Sequence, residues 1–135
     1  MEKWDREMER RVWARVMGRP EWDVGELTAQ AIQRSNAYER LSRVTPGSRG
    51  KLLEELARQE RENVQTLRRL GGKSPLRVKP WPKEPPRALL ERCSRSARQA
   101  RDAYEQLSTG SARFLPLAAC QQTHCVTLTQ LLEGM

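Results

Sequence analysis

Glu60 and His124 are the residues of this chain best suited to chemistry, and each stands three positions from a polar partner: Glu60-x-x-Asn63 and Gln121-x-x-His124. Three residues is close to one helical turn, so each pair shares a helix face. His124 is the only histidine in the sequence. A carboxylate and an imidazole brought together could hold a metal ion, pass a proton as an acid–base pair, or close a buried hydrogen-bond cluster. Burying Glu60 alone would cost several kcal/mol. Asn63, Gln121, His124, Tyr38 and Tyr104 are therefore the partners expected to surround it in a polar core cluster.

These residues belong to an internal repeat. Ala37-Tyr38-Glu39-Arg40-Leu41-Ser42 returns as Ala103-Tyr104-Glu105-Gln106-Leu107-Ser108. Each copy leads to a second matched run, aligning Leu56 with Leu117, Ala57 with Ala118, Glu60 with Gln121, Asn63 with His124, Leu67 with Leu128 and Leu70 with Leu131. A repeat of this kind predicts one helical hairpin used twice. Apolar spacing predicts helices over about 24–43, 48–70, 86–107 and 112–132, separated by turn signals at Thr45-Pro46-Gly47-Ser48, Gly71-Gly72 and Ser108-Thr109-Gly110-Ser111. The fourth helix lines up Phe114, Leu117, Gln121, His124, Leu128 and Leu131.

The stretch 71–86 holds five of the eight prolines, which keeps it extended as a stiff strap. At ~3.1 Å per residue such a strap reaches about 45 Å, against about 30 Å for a 20-residue helix. It is long enough to carry the chain back along a whole bundle, and Trp81 is expected against the bundle wall. Ahead of the repeat, residues 1–19 place Trp4, Met8, Val12, Trp13, Val16 and Met17 on one amphipathic helix face. Two tryptophans are costly to leave in water. This face is expected to pack on its own bundle, swap onto a second copy, or dock on another protein. Membrane-surface binding is opposed by Glu2, Asp5, Glu7 and Glu9.

Composition narrows the function classes. The net charge of +8 invites nucleic acid, but basic residues are interleaved with acids, as in Arg58-Gln59-Glu60-Arg61-Glu62, with no basic block. No specific nucleic-acid role is expected. Three cysteines without a CxxC pair read as free thiols in a reducing compartment. The charged N-terminus lacks the apolar core of a signal peptide and no run is long enough to span a bilayer, which together point to the cytoplasm.

Residues 24–133 resemble the rubrerythrin branch of the ferritin-like family. That resemblance implies an all-α, ferritin-like four-helix bundle: two helical hairpins joined by a long Pro-rich crossover, plus the N-terminal amphipathic helix. It also implies a di-iron site, with a glutamate seven residues before each hairpin's tyrosine and a Glu-x-x-His on each second helix. Here Ala31 and Ala97 stand at the first-helix glutamates, Asn63 at one histidine and Gln121 at one glutamate. Only Glu60 and His124 match. Alanine donates nothing, and neutral amides bind hard cations poorly. Glu39, Glu62, Glu91 and Glu105 fall on the wrong faces to substitute. The expectation is a family member that has lost its di-iron centre and acts as a non-catalytic protein-interaction or structural module, with no cofactor. The alternative is an iron-handling protein or oxidoreductase that keeps a residual iron or other divalent metal ion on Glu60 and His124. The run 11–17 also resembles the lead-in of some short bacterial relatives.

Overall fold

The computed structural model describes residues 23–71 and 77–135. Those residues form four helices and no strand: α1 (Val24–Val44), α2 (Gly47–Arg69), α3 (Pro86–Ser108) and α4 (Leu115–Glu133), with a 3-10 turn at Ala112–Phe114 leading into α4. The Trp4, Met8, Val12, Trp13, Val16 and Met17 face lies outside the described residues.

Local chemistry sets the helix ends. The Asp23 carboxylate accepts from the Gly25 amide at 2.9 Å and caps the start of α1, satisfying one of the first-turn donors a helix leaves free. Pro86 begins α3, where its missing N–H costs nothing. Gly71 adopts φ +96 just after α2, a conformation that glycine reaches without strain and that stops the helix. At the far end of the molecule, Arg49 on α2 donates to the carbonyl oxygens of Gly134, at 2.9 Å, and of Leu131. A cation there caps the C-terminus of α4 and ties it to α2.

The helices pair as two hairpins, α1 with α2 and α3 with α4; α1 also packs on α3, while α2 and α4 touch least. Two apolar clusters fill the interior. One gathers Tyr38 and Leu41, Leu53 and Leu56, Leu89 and Leu90, and Leu128 and Leu131. The other gathers Leu27 and Ala31, Val64 and Leu67, Tyr104 and Leu107, and Phe114 and Leu117. Fully burying one such Leu stabilises by about 1.5–3 kcal/mol. The last turns of α2 lie in the second cluster and the first turns of α3 in the first cluster. The 70–85 connection therefore traverses the bundle lengthwise, as the proline count predicts. Its described part follows α1: Gln33 donates to the Lys79 carbonyl at 2.9 Å, and Arg40 donates to the Trp81 carbonyl at 3.3 Å. Trp81 packs partly buried on the first cluster, with the Arg92 guanidinium 5.7 Å from its ring centroid.

Candidate functional site: a buried ion pair between the two clusters

Between the apolar clusters the four helices turn polar side chains inward. Thr28, Arg34, Glu60, Gln121 and His124 are all fully buried, and Asn63 and Ser96 nearly so. The centre is an ion pair. Arg34 Nε donates to Glu60 Oε2 at 2.8 Å, and Arg34 Nη1 donates to Ser96 Oγ at 3.1 Å. The other carboxylate oxygen, Oε1, accepts from Asn63 Nδ2 at 2.9 Å and from Gln121 Nε2. Both Glu60 oxygens are thereby occupied by donors from α1, α2 and α4.

Arg34 is the residue that sequence reasoning misses. The cue is present: Leu27, Ala31, Arg34, Tyr38 and Leu41 keep unbroken four-three spacing only when Arg34 is included. An arginine is normally assigned to solvent because burying a lone charge is prohibitive. Here its partner arrives from another helix. Burial by itself would push the Arg34 guanidinium down, but the adjacent Glu60 carboxylate more than reverses this, so Arg34 stays charged.

The expected cluster partners divide. Asn63 and Gln121 bond Glu60 directly. His124 comes close, with Nδ1 3.6 Å from Glu60 Oε1, beyond a hydrogen bond. Tyr38 presents its ring edge to His124, centroids 6.2 Å apart at 88°, yet neither the Tyr38 nor the Tyr104 hydroxyl has a hydrogen-bond partner among the described residues. The tyrosines are thus packing walls of the site and not bonding partners of Glu60. The phenol oxygens are held too far from the carboxylate because Arg34 and the two amides fill its coordination directions. Burial pushes Tyr104 up to about 12 against the opposing charge of Arg34, and raises Tyr38 well above its ordinary range.

His124 meets α2 through its other nitrogen. Nε2 lies 2.7 Å from Gln59 Oε1 and 3.5 Å from Cys120 Sγ. Burial lowers the His124 pKa, partly offset by Glu60. Cys120 is half-buried at the α2–α4 seam and accepts from Asn63 Nδ2 at 3.4 Å. Burial raises its thiol pKa, again opposed by that Asn63 bond. Gln59 and Cys120 are further site residues not singled out from sequence; Cys120 is visible there only as the residue one turn before His124.

The remaining carboxylates face outward, as their helix positions predict. Glu55 and Glu62 pair with Arg58, Glu39 with Arg61 and Glu91 with Arg87 at 3.3 Å, while Glu105 is exposed. Among the described residues no three His, Cys, Asp or Glu side chains converge as a metal-holding group. The resident cation also opposes a dication on Glu60. Two unit charges 4 Å apart repel by about 4 kcal/mol at an effective dielectric of about 20, hence about 8 kcal/mol for a divalent ion beside Arg34. A pair of bridged iron ions does not fit these residues. No family model, curated protein or solved structure matches the chain.

Proposed function

We propose that this chain is a ferritin-like, rubrerythrin-related protein in which the Arg34–Glu60 ion pair has taken the place of a di-iron centre, and that it works in the cytoplasm as a non-catalytic protein-interaction or structural module. The observation that carries the reading is the Arg34 guanidinium seated on the one glutamate that matches the family's metal ligands. The lengthwise strap between two hairpins and the alanines at 31 and 97 support it. With the interior committed to internal bonding, the surface is left to carry function. The amphipathic segment 1–19, with Trp4 and Trp13, is the contact we assign to a partner protein or a second copy.

Two measurements test this. Light scattering and pull-down with full-length protein should show self-association or a captured partner that is lost when residues 1–19 are removed; identical behaviour of both forms sinks the docking role. Anaerobic iron loading should leave less than one iron per chain. Stoichiometric iron that disappears in His124→Ala would establish a residual metal site in place of the loss proposed here.

A further inference from the structure

On the side of His124 away from Glu60, the α2–α4 seam gathers three donor atoms with an unresolved electrostatic conflict. Cys120 and His124 are one turn apart on α4, with Sγ and Nε2 separated by 3.5 Å. Gln59 Oε1 approaches the same Nε2 at 2.7 Å and Sγ at 3.9 Å. The Gln59 amide cannot turn over freely, because its own Nε2 donates to Glu55 at 3.0 Å. Opposite, His124 Nδ1 faces Glu60 Oε1 at 3.6 Å and has no hydrogen-bond partner, although the ring is fully buried.

A neutral imidazole carries one N–H. Placed on Nε2, it serves Gln59 and turns a bare Nδ1 lone pair toward a carboxylate. Placed on Nδ1, it serves Glu60 and sets the Nε2 lone pair against an amide oxygen. Either way two acceptors confront each other. An imidazolium would relieve this, but the Glu60 charge already balances Arg34, so the added charge would lie buried without compensation. A monovalent cation bound at Nε2 together with the Cys120 thiolate relieves it with no net charge. The proton then sits on Nδ1 facing a carboxylate, the arrangement that typically orients metal-bound histidines.

We propose that Cys120 and His124, with Gln59 Oε1 as a third and weaker donor, form a binding site for a single Cu(I) ion. This goes beyond the proposed interaction role and does not depend on it. With metal–sulfur and metal–nitrogen bonds of about 2.3 and 2.0 Å, two ligands at tetrahedral to trigonal angles stand roughly 3.5–3.7 Å apart, which is the separation found. Two strong donors are too few for a hard ion that takes six or more oxygens, and a thiolate with an imidazole selects a soft one. Asn63 Nδ2, 3.4 Å from Sγ, supplies a hydrogen bond to the metal-bound sulfur. In the binding step the S–H bond is exchanged for an S–Cu bond and the proton leaves to solvent through the half-buried seam. Nothing is oxidised or reduced.

The test is an anaerobic titration of the full-length protein with Cu(I) in competition with a chromophoric Cu(I) chelator, and in parallel with Zn(II). One Cu(I) per chain is expected, with X-ray absorption showing one sulfur and one nitrogen neighbour. Cys120→Ser, at a half-buried position that should fold normally by circular dichroism, and His124→Gln should each weaken binding by at least about 100-fold, more than the typical loss from removing a supporting residue of a metal site. A Cys93→Ser/Cys125→Ser variant should retain the site. Undiminished affinity in Cys120→Ser, no competitive Cu(I) binding at all, or tighter binding of Zn(II) than of Cu(I) would each overturn the proposal.

Discussion

Removing Arg34 should be the most damaging surface-to-core charge change available in this protein. Both members of the Arg34–Glu60 pair are fully buried, and breaking such a pair by deleting one partner costs about 3–5 kcal/mol, because the other charge is stranded. Arg34→Met and Glu60→Gln should each show that loss. The double variant Arg34→Met/Glu60→Gln removes both charges, keeps a carbonyl oxygen for Asn63 and Gln121, and should recover most of it. Urea unfolding followed by circular dichroism measures all four members of the cycle. With m near 2 kcal/mol/M for a domain of this size, each single variant should lower the midpoint by roughly 2 M. The coupling energy should exceed about 2 kcal/mol, within the range found for residues sharing one network. Effects that add to within about 0.5 kcal/mol, or an Arg34→Met variant less than about 1 kcal/mol destabilised, would refute the view that this ion pair organises the bundle centre.

Two further outcomes follow from the site and the turns. Burial holds the His124 pKa below its ordinary value, so between the unfolded value of about 6.5 and the lower folded value the unfolded chain binds more protons. Stability of chelator-treated protein should therefore be full above about pH 6.5 and fall as pH drops through that window, by at most about 1.4 kcal/mol per pH unit. Denaturation midpoints in His124→Gln should be flat over pH 5–6.5, and a persisting slope would assign the titration elsewhere. Gly50→Ala would place its methyl 2.1 Å from the Thr45 carbonyl oxygen, backbone that cannot swing aside. A loss of roughly 1–3 kcal/mol is expected, as for overpacking; a thermal scan showing no loss would mean that the α1–α2 turn shifts freely.

The ion pair also explains why such a polar centre is compatible with a stable bundle. Leu27, Leu67, Leu107 and Leu117 close one end and Leu41, Leu53, Leu90 and Leu131 the other, so water is kept from the centre on both sides. Within that dry layer every donor around Glu60 is worth more than in solvent, and an unmatched one costs more. That layer should hold the helices in register: sliding one helix by a turn would separate Arg34 from Glu60, and Gln121 from both.

Helix number, their near-exact spans, the strap and the inward faces of α2 and α4 were all legible in the sequence, because apolar periodicity and Pro/Gly punctuation act locally along the chain. The inward placement of Glu60, Asn63, Gln121 and His124 came from the same periodicity, since each interrupts an apolar stripe. The identity of Glu60's counter-charge was decided only by tertiary structure. Arg34 and Glu60 are 26 residues apart on different helices, and nothing local tells an arginine whether a carboxylate will be waiting in the core. The same holds for the divided surroundings of His124, where Glu60 and Gln59 from α2 and Cys120 from its own helix meet the two ring nitrogens. Periodicity gives a side chain its face, but which atoms it meets there depends on how separate helices are docked.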